Sequence, residues 1–275
     1  DYTVKGLTYD PAVTDGGAIT EFIITGNQTN INLYEELGGA IPSAVNVTIV
    51  INGAIISGLT NTAPAIRAGA FPVGSTINLI LVNNADIQSK AGDGGDGGDL
   101  FFEPESGGWQ AEAGLQGGNG GIAYDAQGVD TNIYLSGATP STTYPEANGT
   151  IRAGGGGGAG ADASASLIRT GNGGGGGAGS QVGIGGVAGT ASTTLGSPEL
   201  GNAGDDGTVT GSGGQGGQGG SVNAGSGGAW GEAGQPVFGR AGGLAGKGIV
   251  KSGATVTVIG SNASNFINGN GDTPD

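Results

Sequence analysis

Hydrophobic and polar residues alternate along two clear stretches in the first third of the chain. Val45–Ile51 and Thr76–Val82 carry aliphatic residues at alternate positions, which predicts strands with one buried face. Asn52-Gly53 has the composition of a type I′ hairpin turn, so Ala54–Ser57 is expected to return antiparallel to the first strand. Weaker candidates complete this region, namely strands at Glu21–Thr25 and Asn30–Tyr34 and a short helical turn at Leu33–Leu37.

Glycine changes the picture beyond residue 90. Of the 67 glycines in the 275 residues, 10 lie in residues 1–90 and the other 57 (67 − 10) follow. Gly94–Asp99 and Gly213–Gly220 place glycine on two of every three positions, whereas Gly154–Gly158 and Gly173–Gly177 are uninterrupted runs. The composition therefore divides the chain near Lys90.

A period of three is the period of the polyproline II helix, which has three residues per turn. Glycine on two of the three edges leaves bare backbone there, so neighbouring helices can approach closely and bond laterally through their N–H and C=O groups. We expect the third edge to turn Asp, Gln or Asn toward solvent. A disordered Gly/Ser linker is the competing interpretation of the same composition.

Short strand-like segments and a weak repeat argue for order. The segments are Asn132–Leu135, Ser166–Arg169 and Thr255–Ile259. Gly120–Ala123 precedes the first of them, and the similar Gly246–Val250 precedes the last. Repeated glycine-then-strand units are typical of stacked, solenoid-like folds.

Several chemistries are excluded by composition and charge. The chain has no cysteine, methionine or histidine, which removes thiol chemistry and the commonest general base and transition-metal ligand. A net charge of −15 disfavours nucleic acid, and no apolar run reaches the roughly 20 residues of a membrane span. Because it begins at Asp1 with no signal-like segment, we expect the chain to be a fragment or a processed product.

Three local motifs are too weak to assign a cofactor, a metal or a catalytic residue. Gly94–Phe102 fits one copy of a calcium nonapeptide, but the next nine residues do not repeat it. Gly246-Lys247 resembles the end of a P-loop, yet Ala241 and Gly248 occupy positions that the motif needs as Gly and Ser or Thr. Glu103-Pro104-Glu105 pairs carboxylates without any sign of a cleft.

Aromatic residues of the glycine-rich part are the remaining candidates for a site. They lie mostly in irregular segments between glycine runs, where they either fill a thin interior or form an exposed binding surface. The candidate receptor-binding residues are Phe101, Phe102, Trp109, Tyr124, Tyr134, Tyr144, Trp230 and Phe238.

A resemblance to phage tail-tip proteins rests on four motifs in order. Tyr2–Pro11 looks like the exit of the fibronectin-type domain of lambda-type central tail-fibre proteins. Val45–Ile51 with Phe71–Leu79 resembles the β segment that leads into glycine-rich fibre tips. Asn148–Ala153 before Gly154–Gly158 resembles the strand-plus-polyglycine motif of those tips, and Gly242–Ile249 with the strand after it resembles their closing motif. The glycine-rich part is also similar to the distal adhesins of T-even phages, which stack polyglycine II helices.

The resemblance implies a mainly β protein with a small β-rich N-terminal domain and a domain of stacked polyglycine II helices, short strands and irregular loops. We expect residues 1–20 to be the exit of a preceding domain, 21–90 a trimerisation domain and 91–275 the receptor-binding tip. The implied protein is a homotrimer at the virion tail tip that binds a bacterial surface receptor without inserting into the membrane. Its variable segments map to Leu100–Ala113, Tyr124–Ala147, Val187–Thr210 and Val222–Arg240.

Two other functions stay open at this point. A purely structural or ice-binding glycine module would need a flat, regular surface, against which the irregular aromatic segments argue. An envelope polysaccharide depolymerase would be an enzyme, whereas the tail-fibre resemblance implies an adhesin without catalysis.

Overall fold

The computed structural model describes residues 2–5, 21–135, 137–141, 143–191, 198–219, 222–260 and 267–268, and within them the fold is mainly β, as predicted. The described strands are β1 (Tyr2–Lys5), β2 (Glu21–Ile24), β3 (Gln28–Thr29), β4 (Ile31–Asn32), β5 (Asn46–Asn52), β6 (Ile55–Ser57), β7 (Ile66–Arg67), β8 (Thr76–Val82), β9 (Asp86–Gln88), β10 (Leu100–Glu103), β11 (Gly108–Ala111), β12 (Ile122–Asp125), β13 (Asp130–Tyr134), β14 (Thr150–Arg152), β15 (Lys247–Val250), β16 (Val256–Ile259) and β17 (Ile267–Asn268). The predicted helical turn is α1 (Leu33–Glu36).

Three sheets enclose one core, and the chain visits them in a fixed cyclic order. β2, β3 and β4 begin the first, second and third sheet, and β5, β6 and β7 add a parallel strand to each. β8 and β9 continue the cycle, followed by β12, β13 and β14 and then by β15, β16 and β17. The result is a three-sided parallel β-solenoid whose first edge is covered by β1, antiparallel to β2.

The core of the solenoid consists of stacks that take one side chain from each turn. Because the strands pair in register, the inward positions of one strand lie directly over those of the next. Each fully buried aliphatic side chain contributes about 1.5–3 kcal/mol of burial free energy. The stacks include Phe22–Ile49–Leu79–Ile133 on the first sheet, Ile56–Ile87–Ile151 on the second and Ile31–Ile66–Tyr124–Ile249 on the third.

The prediction of an antiparallel hairpin after Val45–Ile51 is wrong. β6 does not return along β5 but lies in the second sheet, parallel to β3 and β9. Asn52-Gly53 is a corner of the solenoid, where Gly53 has φ +66° and its N–H donates to the carbonyl of Val82 in the next turn. Gly53 has the positive φ of the predicted turn but Asn52 does not, and the topology is decided by parallel partners in later strands, β8 and β9.

Glycine-rich chain leaves the solenoid twice, each time after the second sheet and before the third. The first excursion joins β9 to β12, and the second joins β14 to β15. The weak sequence repeat is confirmed, because Ile122 pairs with Lys247 and Thr131 with Val256 in equivalent positions of successive turns. The step at Lys90 is therefore where the solenoid is first interrupted, and its sheets continue well beyond residue 90.

Extended glycine-rich segments fill both excursions and bond to each other at every third residue. Gly92, Gly95 and Gly98 donate in turn to the carbonyls of Gly155, Gly158 and Ala161. This is the period of three that the sequence predicts for lateral bonding. The segments, numbered here in chain order, are 91–99 (1), 112–121 (2), 153–163 (3), 170–179 (4), 183–191 (5), 198–208 (6), 213–219 (7), 222–229 (8), 232–236 (9) and 241–246 (10).

Segments 3 and 4 lie at the centre of this lattice. Segment 4 donates N–H groups to segments 1, 6 and 8 and accepts bonds at its carbonyls from segments 3, 5 and 7. Segment 3 is likewise bonded to segments 1, 2, 4, 8, 9 and 10. Each of these two adjacent segments therefore has six neighbours. Within the described residues, the ten segments form three layers of three, four and three, with segments 3 and 4 inside the middle layer.

The uninterrupted glycine runs coincide with these two central segments. Gly154–Gly158 and Gly173–Gly177 are buried throughout, because every edge of their segments faces another backbone. A β-carbon built on Gly175 would overlap the carbonyl oxygen of Gly214 in the neighbouring segment 7. Glycine is thus required at these positions because neighbouring backbones leave no space for a side chain. It is not required by backbone conformation, since φ at these positions is not in the left-handed region.

Outer segments retain one polar position in three, as predicted, but these side chains also complete the lattice. Oδ1 of Asp93 accepts the N–H of Ile184 at 3.0 Å, and Oδ1 of Asp96 accepts that of Val187 at 3.0 Å. Likewise, Oδ1 of Asn119 in segment 2 accepts the N–H of Leu244 in segment 10. Carboxylate and amide oxygens therefore replace the carbonyls that a further neighbouring segment would supply.

Alanine at a central glycine is expected to destabilise the lattice strongly. For Gly175→Ala we expect a loss of about 3 kcal/mol in the free energy of unfolding, because the added methyl meets backbone that cannot move aside. Gly108→Ala is the matched control, since a β-carbon there meets nothing within 4 Å, and it should change stability by less than about 0.5 kcal/mol. Urea unfolding measures both, and equal midpoints would contradict the close approach of segments 4 and 7.

The aspartate edge can be tested at Asp96. Removing the acceptor of the Val187 N–H by Asp96→Ala should lower the free energy of unfolding by about 1 kcal/mol. Asp96→Asn keeps an oxygen in the same place and is expected to retain most of that stability. If thermal unfolding shows the two variants to be equally destabilised, the carboxylate acts through its charge and not as a hydrogen-bond acceptor.

Candidate receptor-binding surface

Connections between glycine segments fall alternately at the solenoid and at the end away from it, which we call the far end. The connection after segment 4 touches the solenoid, because Ser180 donates from its N–H to the carbonyl of Ser89 and from Oγ to that of Gly58. Gly231, after segment 8, donates to the carbonyl of Ala153 where β14 ends. The intervening connections therefore gather at the far end.

Five connections lie between segments at the far end. Three are within the described residues, namely the hairpin 100–111, the turn 164–169 and the turn 237–240. The other two join residue 191 to 198 and residue 219 to 222, and the residues between lie outside those described. The far end therefore presents irregular chain on a regular support.

The hairpin of β10 and β11 holds three of the predicted aromatic residues. Phe102 pairs with Trp109 across the strands, and their rings meet edge to face with centroids 5.7 Å apart. Such a contact contributes about 0.5–1.5 kcal/mol beyond burial and fixes both rings. Phe101 points to the other face and is 41% exposed. The hairpin therefore presents aromatic side chains on both faces.

The turn 237–240 displays the most exposed aromatic residue of the described chain. Phe238 is 80% exposed and has φ +37°, in a two-residue turn closed by reciprocal bonds between Val237 and Arg240. Nε of Arg240 lies 3.3 Å from Oδ1 of Asp162, which also accepts the N–H of Gly114. The turn is thus anchored to segments 2 and 3 while its phenyl ring is held out in solvent.

Aliphatic residues of the turn 164–169 belong to the same surface, although the sequence pattern predicted a strand there. Ser166–Arg169 is part of a turn closed by the pairing of Ser164 with Arg169. Leu167 and Ile168 are 52% and 38% exposed, and Ile168 has φ +52°. Our search for aromatic residues missed them. The signal available in the sequence was the pair of adjacent aliphatic residues in a short segment between two polyglycine runs.

Tyr124 does not lie on the far-end surface. It is fully buried on β12, in the core stack where the other turns of the solenoid carry Ile31, Ile66 and Ile249. Its hydroxyl lies 2.9 Å from Oγ1 of Thr131, and burial raises the pKa of the phenol well above its usual value. The bonded hydroxyl explains how a tyrosine occupies a position otherwise filled by isoleucine.

Three more predicted aromatic residues lie away from the far end. Tyr134 and Tyr144 are partly buried on the outer face of the first sheet, against a cluster that includes Val50. Trp230 is buried at the solenoid end of the lattice, with the guanidinium of Arg152 at 5.6 Å from the centre of its ring. Of the eight predicted residues, Phe101, Phe102, Trp109 and Phe238 share the far end.

The predicted variable segments divide in the same way. Leu100–Ala113 forms the far-end hairpin, and Val222–Arg240 includes the far-end turn 237–240. The described residues of Val187–Thr210 belong mostly to segments 5 and 6, and residues 192–197 lie outside those described. Tyr124–Ala147 belongs to the solenoid and to a loop packed on its first sheet. Sequence position between glycine motifs therefore does not by itself place a segment at the far end.

Acidic residues near the far end do not form a metal site. Within the described residues there is no group of three or more acidic side chains placed to hold a metal ion. Asp96 and Asp99, which gave the calcium-like motif, accept backbone N–H groups of segment 5 instead. In the same part of the chain no helix is both long and apolar enough to cross a membrane.

Comparison with known proteins gives two matches. Residues 20–272 match the family described as phage tail fibre adhesin Gp38. The fold is similar to a chain in the crystal structure of the gp37–gp38 adhesin tip complex of the bacteriophage S16 long tail fibre, with 25% identity, a TM-score of 0.54, and coverage of 88% of this chain and 81% of that one. Comparison with curated protein sequences finds no similar protein.

These matches bear on the sequence-based resemblance in part. They support a phage tail-fibre adhesin, whereas the finer likeness to lambda-type tip proteins is not tested by them and stays a prediction. The family match extends over almost the whole chain, through solenoid and glycine lattice together. The chain is therefore a virion tail protein that belongs to the phage tail fibre adhesin Gp38 family.

Proposed function

We propose that the far end of the glycine lattice binds a receptor on the bacterial cell surface and sets the host range of the phage. The observation that carries this proposal is the grouping of exposed Phe101, Phe238 and Leu167 at one end of a tightly bonded support. Aromatic residues are enriched at protein interfaces, where a few of them supply most of the binding energy.

The rigid support favours affinity. Binding surfaces lose free energy when mobile loops must be ordered, and loops mounted on a fixed scaffold lose less. Segments 3 and 4 are bonded on all sides, and each of the three described far-end connections begins and ends in a glycine segment. The connections can therefore change in sequence without disturbing the lattice that holds them.

We infer that the glycine segments are polyglycine II helices. Bonds at every third residue, six neighbours around a segment and backbone contact too close for a β-carbon all favour this assignment. The same features account for the unusual composition, because a lattice without side-chain interior needs glycine at each contact.

A surface protein is the receptor class that the charge favours. With a net charge of −15, the chain would be repelled by the phosphates of lipopolysaccharide unless divalent cations bridged the two. An outer-membrane or other surface protein presents apolar and polar groups that suit exposed phenylalanine side chains. We propose binding without catalysis, in keeping with the adhesin family.

Attachment to a fibre protein is the partner arrangement that we propose. The matched structure is a complex of two different proteins at a fibre tip. The hydrophobic core of this chain closes within one copy, because all three walls of the solenoid come from the same chain. The homotrimer implied by the sequence resemblance is the alternative, with three-fold contacts made by residues 21–90.

Adsorption to host cells tests the receptor-binding surface. The purified chain should reduce phage adsorption, and Phe238→Ala and Trp109→Ala should each weaken cell binding about tenfold or more, as expected of interface anchors. Val73→Ala removes a fully exposed side chain of the solenoid and should have no effect. Cell binding is measured by titrating labelled protein on host cells and on mutants that lack single surface proteins.

Four results would contradict the proposal. The first is wild-type binding by both aromatic variants, and the second is undiminished adsorption across a full panel of surface-protein mutants. A structural or ice-binding module would give no competition with the phage at all. Oligosaccharide released from host envelopes by the purified chain would revive the depolymerase alternative.

Sedimentation velocity distinguishes the two partner arrangements. Because its core closes within one copy, the isolated chain is expected to sediment as a monomer and to shift to a larger complex only when the fibre protein of the same phage is added. A species of three times the chain mass in the absence of any fibre protein would instead support the homotrimer.

A further inference from the structure

A groove lies on the outer face of the first sheet, away from the far end of the lattice. The connection from β13 to β14 folds back over this face, and its Ala138 and Ala147 cover the outward side chains of Val50 and Ile80. A groove of about 300 Å³ remains between this loop and the sheet. Nothing in the proposed receptor-binding surface uses it.

The floor of the groove includes the side-chain amide of Asn78, which two neighbouring asparagines hold in a fixed orientation. Nδ2 of Asn78 donates to Oδ1 of Asn46 at 2.7 Å, and Nδ2 of Asn132 donates to Oδ1 of Asn78 at 2.9 Å. Each amide has two N–H donors and an oxygen with two lone pairs, so these bonds leave further donors and acceptors for a ligand. Because the bonds define which atom of Asn78 is the oxygen, its amide presents a known pattern of donors and acceptors.

The wall of the groove is aromatic and is also fixed. The hydroxyl of Tyr144 donates to Oε1 of Glu21 at 2.9 Å. Burial, together with this bond and the adjacent carboxylate, raises the pKa of Tyr144 to about 12, so the phenol is neutral at physiological pH. Tyr134 also lines the groove, and both rings pack on the same hydrophobic cluster.

The polar lining suits a ligand that both donates and accepts hydrogen bonds and has no net charge. Among the described side chains that line the groove, the ionisable ones are Glu21, Tyr134 and Tyr144. The acidic member of this described lining, Glu21, disfavours a phosphate or an acidic sugar. Hydroxyl groups can donate to the carboxylate and accept from the amide, while the apolar face of a sugar ring can lie on a tyrosine.

We propose that this groove binds a neutral saccharide, through Asn78, Thr48 and Glu21 on its floor and Tyr134 and Tyr144 on its wall. A protein partner is less well matched, because the groove crosses a sheet face with no free strand edge and Ile80 beneath it is only 4% exposed. The groove belongs to the solenoid, so saccharide binding stands or fails independently of receptor binding at the far end.

Saturation-transfer NMR with the full chain tests this inference. The probes are maltohexaose, cellohexaose and mannohexaose, with hexagalacturonic acid as the charged counterpart. We expect saturation transfer to at least one neutral probe at millimolar concentration and none to the acid. Thr48→Val keeps the shape and strand propensity of threonine and should weaken binding about fivefold through the lost hydroxyl.

Matched variants separate a site from a change of fold. Tyr144→Phe keeps the ring on its cluster but loses the bond to Glu21, whereas Tyr144→Ala removes the ring and should weaken binding more than Tyr144→Phe does. Phe238→Ala at the far end should leave saccharide binding unchanged. Circular dichroism and the thermal midpoint report whether each variant retains the fold.

The inference is overturned if no neutral probe receives saturation transfer, or if a transfer that does occur is unchanged in Thr48→Val and both Tyr144 variants. It is also overturned if Phe238→Ala abolishes the transfer, since the sugar would then bind at the far end. If Thr48→Val instead weakens association with the fibre protein and no probe binds, the groove is a protein interface.

Discussion

Lateral hydrogen bonding between backbones that touch without side chains is the constraint on which this protein depends. The central segments have no hydrophobic interior, and their order comes from N–H and C=O groups paired with six neighbours. Such pairing is available only where the backbones are closer than a β-carbon allows, as at Gly175. Glycine loses more conformational entropy on folding than any other residue, so the lattice must satisfy nearly every backbone group to be stable. This explains why the aspartates of the outer segments accept the N–H groups that face no further segment.

The solenoid provides what the glycine lattice lacks. Its stacks of isoleucine and leucine bury apolar surface in the ordinary way, and the two excursions leave and re-enter it at equivalent positions of successive turns. Ser89 shows how closely the two parts are joined. Its buried hydroxyl donates to the carbonyl of Gly121 and accepts the N–H of Gly154, so both excursions are tied to the same side chain. The ends of the segments near the solenoid are thereby fixed, and the connections at the other end are directed away from the solenoid.

Sequence reasoning reached the local structure more surely than the topology. Alternation at Val45–Ile51 and Thr76–Val82 located the long strands, and the period of three located the bonded glycine edges. The antiparallel return after Asn52-Gly53 was wrong because the same residues also suit the corner of a parallel solenoid. Among the aromatic candidates, Phe238 and Tyr124 look alike in sequence, since both adjoin glycine-rich chain. One lies on an exposed turn, whereas the other replaces an isoleucine in a core stack.

The sequence by itself determined that this protein is mainly β, that its glycines are structural and that thiol and histidine chemistry play no part in it. These properties follow from composition and short-range periodicity, which act within a few residues. Only the tertiary structure decided that strands on both sides of Lys90 share sheets, that two glycine runs lie at the centre of the lattice, and which aromatic residues face outward. Parallel pairing and lateral bonding join residues far apart in the chain, and no local pattern specifies such partners.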